Sequence, residues 1–157
     1  MPNWCNNQVS IAGPNKVLKK FMKIVNNPKP KAKDGLFEMM KPMPKELRET
    51  TADGSERIEL IKKYGHSDWY GWANSNWGTK WGCCDNEFKD NEYWFNTAWC
   101  PLSTIVFEKF SKDIPNFKFI WEEEQGFGQK WECKDGVFTM IEEWDMPDWN
   151  ELLKNTN

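Results

Sequence analysis

The sequence predicts one α+β domain, 1–157, built on an antiparallel sheet. Residues 5–11 (CNNQVSI) alternate between two faces, as a half-buried strand does. After the turn at Gly13-Pro14-Asn15, apolar residues recur at helical spacing as far as Val25. Similar strand and helix patterns return after residue 80. No apolar run approaches the roughly 20 residues of a membrane span, so a membrane protein is excluded.

The middle of the chain predicts shorter elements. Several prolines and the polar stretch 50–55 indicate loops and short helices over 28–65. Ser67 or Asp68 can cap a helix over 69–77, which Gly78 should end.

The second half predicts a strand, strand, helix, strand series followed by a hairpin. Strands are expected at 81–85, 93–100 and 117–124, a helix from Pro101 that Ile114 closes, and a hairpin from 129–134 and 137–144. This order is the split β-α-β of ferredoxin-like folds, with helices on one face of the sheet. A Trp-rich insertion, about 27–80, follows the first helix, and the extra C-terminal hairpin occupies about 128–145.

Composition and charge exclude several functional classes. The five cysteines form no C-x-x-C pair and His66 is the one histidine, so neither a metal nor another cofactor is expected, and all five thiols are interpreted as small buried groups. The net charge is −3, so binding to duplex nucleic acid is not expected. Lys16, Lys19, Lys20 and Lys23 share one helical side and are interpreted as a solvated face. Hydrolase and phosphate-loop motifs are absent, which predicts a protein that is not an enzyme.

Tryptophan is the residue type in excess. Eleven are present, more than half of them between Trp69 and Trp99. A small core rarely needs so many indoles, because each ring must be buried and its N–H must find an acceptor. Three of them are interpreted as packing residues: Trp69, Trp72 and Trp94. Two others, Trp144 and Trp149, are interpreted as anchors of the C-terminal tail.

The candidate ligand-binding segment is Trp77-Gly78-Thr79-Lys80-Trp81. Two indoles can stack a base or sugar, while the Lys80 ammonium and the Thr79 hydroxyl contact phosphate. Burial of both indoles in the core is an equally favoured alternative. The full set of expected ligand-binding residues is Asn3, Trp4, Trp77, Thr79, Lys80, Trp81, Thr97 and Trp99.

Several unusual motifs resemble the phage- and plasmid-encoded proteins with a YubB-type ferredoxin-like domain. They are MPNWCNNQVSIAGP at the start, PMPKEL at 42–47, DWYGWANSNWGTKW at 68–81, FNTAWCP at 95–101 and GFGQKWECKDG at 126–136. The family has a second proline where this chain has Leu102. The resemblance implies the ferredoxin-like fold and a mobile-element origin, and it implies no catalytic residues.

Three functional hypotheses remain. The first is a cytoplasmic protein, since the start lacks a signal-peptide pattern, that holds a small nucleotide-like or aromatic anionic ligand and sequesters a host defence signal. The second is an interaction module that inhibits a host protein through exposed tryptophans. The third, single-stranded nucleic-acid binding, has the stacking residues without the positive charge. The sequence leaves homo-oligomerisation open.

Overall fold

A computed structural model describes residues 2–25 and 35–146. Its strands are β1 (Trp4–Ile11), β2 (Cys84–Lys89), β3 (Glu92–Ala98), β4 (Phe117–Glu123), β5 (Gly128–Lys134) and β6 (Val137–Trp144). Its helices are α1 (Asn15–Val25), α2 (Gly35–Met40), α3 (Lys45–Arg48), α4 (Ile58–Tyr64), α5 (Trp69–Trp77) and α6 (Thr104–Asp113). Part of the expected insertion lies outside the described residues, and so does Trp149.

The strands form one open antiparallel sheet in the order β2-β3-β1-β4-β5-β6. The α+β class is therefore confirmed. The six strands and six helices of the described residues exceed the four strands and two helices of a minimal split β-α-β unit.

The helices cover one face of this sheet. Val9 of β1 is paired with Tyr93 of β3 and Phe119 of β4, and all three side chains are buried beneath the helices. Phe21 of α1 packs edge-on against Tyr93, and Phe107 of α6 lies 4.4 Å from the ring of Phe119, centroid to centroid. Because strand side chains alternate between faces, the intervening residues lie on the opposite face, which none of the described helices covers; we call it the uncovered face.

Trp94 corrects one expectation about packing. It lies in β3 between the buried Tyr93 and Phe95, so its side chain points to the uncovered face, where it is 45% exposed. Burial of all five thiols was expected, and it is found at Cys5, Cys83 and Cys133, whereas Cys84 is only partly buried and Cys100 is exposed. Trp144, in contrast, covers Gly128 of the neighbouring strand and its Nε1 donates to Glu122 at 3.2 Å.

The predicted helix over 69–77 is confirmed as α5. Asp68 caps it by accepting a hydrogen bond from the amide of Gly71 at 2.9 Å, and Gly78 ends it in the left-handed conformation. The helix predicted from Pro101 begins later, at Thr104, because the Ser103 hydroxyl caps it.

Two strand boundaries also differ from expectation. Residues 81 and 82 form bends, Cys83 belongs to no regular element, and β2 begins only at Cys84. At the other boundary, β3 ends at Ala98 because Trp99 adopts a φ of +68° and leaves the extended conformation. Both differences lie at the candidate site.

Candidate functional site

The Lys80 ammonium lies among three partly exposed aromatic rings. Its Nζ is 4.5 Å from the ring centroid of Trp81, 4.9 Å from that of Trp99 and 5.9 Å from that of Tyr70. The three rings are 38–43% exposed. Each distance is within the range of cation–π attraction, which holds the ammonium in place without neutralising it. We call Lys80 and these three rings the Lys80 cage.

The segment that carries Lys80 is fixed on both sides. At Gly78 a Cβ would lie 3.0 Å from the Cβ of Ser103, so a side chain has little room here in addition to the positive φ. The Ser103 amide donates to the carbonyl of Trp77 at 2.9 Å. Next along the chain, the buried Thr79 hydroxyl donates to the carbonyl of Ala98 at 2.8 Å. These contacts hold the backbone so that Lys80 and Trp81 project outward.

Trp99 reaches the cage from a strained turn. The Cys100 amide donates to the carbonyl of Ala98 at 2.9 Å, which closes a three-residue turn around Trp99. The Trp99 amide donates to the carbonyl of Asn3 at 2.8 Å. A positive φ at a bulky residue costs about 1–3 kcal/mol and persists only where the surroundings impose it. Here those surroundings hold an indole that is 43% exposed.

A buried polar network supports this turn from below. The Thr97 hydroxyl donates to the carbonyl of Cys100 at 2.7 Å and accepts from Asn7 Nδ2 at 2.9 Å. Asn7 Nδ2 also donates to the carbonyl of Cys5, while Asn7 Oδ1 is buried without a hydrogen-bond partner. Burial, with smaller contributions from Cys100 and two nearby glutamates, raises the pKa of the Cys5 thiol to about 12. The Cys5 thiol is therefore neutral at physiological pH.

A cavity of about 690 Å³ opens beside the cage. Lys80 and Trp81 belong to both the cavity wall and the cage, whereas Tyr70 and Trp99 lie outside the wall. The wall also includes Arg48, Trp69, Asp85 and Asn86. The volume is within the range of small-molecule sites, roughly 300–1,000 Å³.

Arg48 brings a second cation to this cavity. Its guanidinium pairs with the buried carboxylate of Glu38, which also accepts a hydrogen bond from the amide of Met43 at 3.2 Å. Lys80 makes no ion pair with a carboxylate of the described residues. The cavity therefore offers two cations and an aromatic wall, beside the carboxylate and amide of Asp85 and Asn86.

The expected site residues divide into three groups. Lys80, Trp81 and Trp99 come together in the cage. Asn3 supports the Trp99 turn through its backbone carbonyl. The Trp4 side chain points toward the uncovered face, and none of the described ring contacts joins it to the cage. The others, Trp77, Thr79 and Thr97, are buried behind the site.

The buried members need corrected roles. The Thr79 and Thr97 hydroxyls donate to backbone carbonyls, so the phosphate contact expected of Thr79 would break an internal hydrogen bond. Trp77 is 2% exposed, its Nε1 donates to the carbonyl of Lys41 at 2.9 Å, and its ring packs edge-on against Trp72. Trp77 is mainly a core residue whose edge reaches the cavity.

Sequence reasoning missed Arg48 and Tyr70. Its assignment of Trp69 to packing agrees with the structure, in which Trp69 packs against the core and also lines the cavity. The spacing of Trp69 and Tyr70 did not indicate that both rings lie at the site, because adjacent residues of a helix do not share one face. Arg48 belongs to a short helix in a proline-rich region that the sequence predicted only as loops and short helices.

The described residues contain no cluster of three or more His, Cys, Asp or Glu side chains arranged to hold a metal ion. None of the helices in 2–25 and 35–146 is long and apolar enough to cross a membrane. A scan against protein-family models, a search of curated proteins and a search of solved structures found no match to this chain. The resemblance to the YubB-type family therefore stays a prediction.

Proposed function

We propose that this protein is a non-enzymatic binding protein that holds a small nucleotide-like anion in the cavity beside the Lys80 cage. The observation that carries the proposal is the Lys80 ammonium, which has no carboxylate partner among residues 2–25 and 35–146 and is held among three partly exposed rings at the wall of a cavity. A phosphate would gain charge-assisted hydrogen bonds from Lys80. A base or sugar would stack on the adjacent indoles.

Arg48 adds directed hydrogen-bond donors to the cavity wall, while Glu38 balances its charge. Arg48 presents a planar fork that suits phosphate oxygens, and its pairing with Glu38 orients it at the wall. Asp85 and Asn86 provide an acceptor and an amide for the edge of a base. Specific recognition needs such polar groups at fixed positions within an apolar site.

The biological setting is part of the same proposal. The strand order β2-β3-β1-β4 and the motifs shared with the YubB-type family support a ferredoxin-like unit of phage or plasmid origin, extended by the hairpin β5-β6. A binding protein from a mobile element can act in the host cytoplasm by sequestering a nucleotide signal of host defence. Sequestration requires tight binding and no chemistry.

Native mass spectrometry of the protein purified from a defence-active bacterial host is the first test. We expect an additional small mass with nucleotide-type ultraviolet absorbance, released on denaturation. Isothermal titration with a panel of linear and cyclic nucleotides then measures affinity. If no nucleotide copurifies and none of the panel binds, the proposal is wrong.

Lys80→Met tests whether Lys80 binds the anion, as the proposal requires. Loss of a hydrogen bond to a charged group costs about 1.5–3 kcal/mol, so the Kd of the bound nucleotide should rise about 10- to 100-fold. Lys109→Met removes an exposed lysine on α6, away from the cavity, and is the matched control. Equal affinities for the two variants would show that Lys80 does not bind the anion.

The exposed Trp94 favours a second candidate function, inhibition of a host protein through the uncovered sheet face. Gln8 of β1 pairs with Trp94 on one side and Ile120 on the other, so the apolar side chains of Trp94 and Ile120 lie in one row with Gln8 across the face. An exposed tryptophan is a frequent anchor of protein interfaces. Loss of a captured host protein on Trp94→Thr, without change in nucleotide affinity, would favour this function.

A further inference from the structure

Two aromatic layers surround Lys80, an inner one in the cavity wall and an outer one beyond it. Trp69 and Trp81 belong to the wall, and Tyr70 and Trp99 do not. Trp69 and Tyr70 are joined edge-on, with ring centroids 5.7 Å apart and an angle of 84° between the planes. The ammonium of Lys80 contacts Trp81 of the inner layer and both rings of the outer layer.

Packing of the described core does not account for the outer layer. Trp99 and Tyr70 are 43% and 38% exposed, so neither ring fills the core. Trp99 is nevertheless held at a φ of +68° by backbone hydrogen bonds from its own amide and from that of Cys100. Strain that positions an exposed side chain is typical of a ligand contact.

A ligand with a single base uses only half of this arrangement. With its phosphate at Lys80 and its base in the cavity, it leaves Trp99 and Tyr70 in solvent. A second base attached to the same phosphate would extend outward from Lys80 and meet the outer rings. Stacking on an aromatic ring tolerates every base, because each has a π face.

We infer that the ligand is a dinucleotide, with one base in the cavity, its linking phosphate at Lys80 and the second base on Trp99 and Tyr70. This inference rests on the proposed function and narrows it to one class of nucleotide. Arg48, on the cavity wall, contacts a phosphate of the inner nucleotide.

The test compares ligands of equal phosphate number by isothermal titration calorimetry. Adenosine 3′,5′-bisphosphate (pAp) and the linear dinucleotide pApA carry their two phosphates at the same positions and differ in the second nucleoside, and pGp and pGpG repeat the comparison for another base. We expect the dinucleotide of each pair to bind at least about tenfold more tightly, as one additional stacked base allows. Equal affinities within both pairs would overturn the inference and leave the proposed function standing.

Trp99→Asn supplies the second arm of the test. Asn tolerates the left-handed backbone of this position, so the turn is retained while the indole is removed. The variant should weaken the binding of pApA about tenfold and change the affinity for pAp by less than about twofold. Trp94→Thr removes an equally exposed indole from the uncovered face and should change neither affinity.

Each remaining outcome has a defined meaning. A loss of affinity for pAp as large as that for pApA would show that Trp99 only positions Lys80, which overturns the dinucleotide inference. An unchanged affinity for pApA in Trp99→Asn would overturn it as well. If none of the four nucleotides binds the unmodified protein, the proposed function fails together with the inference. Thermal unfolding of each variant verifies that it is folded.

Discussion

Thr97→Val tests whether the buried network below the Trp99 turn stabilises the fold. The substitution replaces the hydroxyl with a methyl group and keeps the branched shape. It removes the hydrogen bond donated to the carbonyl of Cys100 at 2.7 Å and the one accepted from Asn7 Nδ2 at 2.9 Å. Thr97 is 0% exposed, so water cannot replace the lost partner in place.

The expected cost follows from the two lost bonds. A typical hydrogen bond contributes about 0.5–1.5 kcal/mol, and a buried group left without a partner costs about 1–3 kcal/mol. Asn7 Nδ2 keeps its bond to the carbonyl of Cys5 at 2.8 Å, which limits the loss. We therefore expect Thr97→Val to lower the free energy of unfolding by about 2–3 kcal/mol. For a domain of this size the Tm should fall by about 4–12 °C.

Thr79→Val is the matched control, because Thr79 is equally buried and its hydroxyl makes one hydrogen bond, to Ala98. Its expected cost is about 1 kcal/mol. Urea unfolding monitored by tryptophan fluorescence measures both variants against the unmodified protein. If Thr97→Val costs no more than Thr79→Val, the network around Asn7 does not stabilise the turn and the reasoning is refuted.

Two further predictions concern stability. Gly128→Ala should lower the free energy of unfolding by about 1–3 kcal/mol in a urea titration, because the new Cβ would lie 2.2 Å from the carbonyl oxygen of Trp121 and 2.6 Å from the ring of Trp144. Gly71→Ala, at a helical site with ordinary contacts, is its control, and an equal cost for both would contradict the steric argument. The pKa of the Cys5 thiol is about 12 in the fold and 9.0 for a free thiol. The contribution of Cys5 to the free energy of unfolding is therefore full below pH 9 and is lost as the pH rises toward 12. The Cys5 contribution to the fall in unfolding free energy is up to about 1.4 kcal/mol per pH unit, so Cys5→Ala should reduce the slope measured across that interval. An unchanged slope in Cys5→Ala would exclude Cys5 as a source of the fall.

Most strands and the longer helices could be predicted from local pattern. Residues 137–144 match β6, and the helix over 69–77 matches α5, because an Asp cap and a terminal Gly are local signals. The boundaries of β2 and β3 could not be predicted. The end of β3 depends on a positive φ at Trp99, and a tryptophan in the sequence does not predict that conformation.

The candidate site was only partly predictable for the same physical reason. Lys80 and Trp81 are sequence neighbours, so their association with each other was visible. Trp99 reaches them through the pairing of distant segments, and Arg48 through the packing of a short helix at the cavity. A composition rich in tryptophan indicates a ligand without showing which rings face it.

The sequence by itself determined the α+β class, the strand and helix periods and the segment that carries Lys80, because these depend on residues within a few positions of each other. Tertiary structure alone decided which tryptophans are buried. Trp77 and Thr79 turn inward because Lys41 and Ala98 offer carbonyls there, whereas Trp99 turns outward on a strained turn. Burial depends on partners that are distant in the chain, and no local pattern specifies those partners.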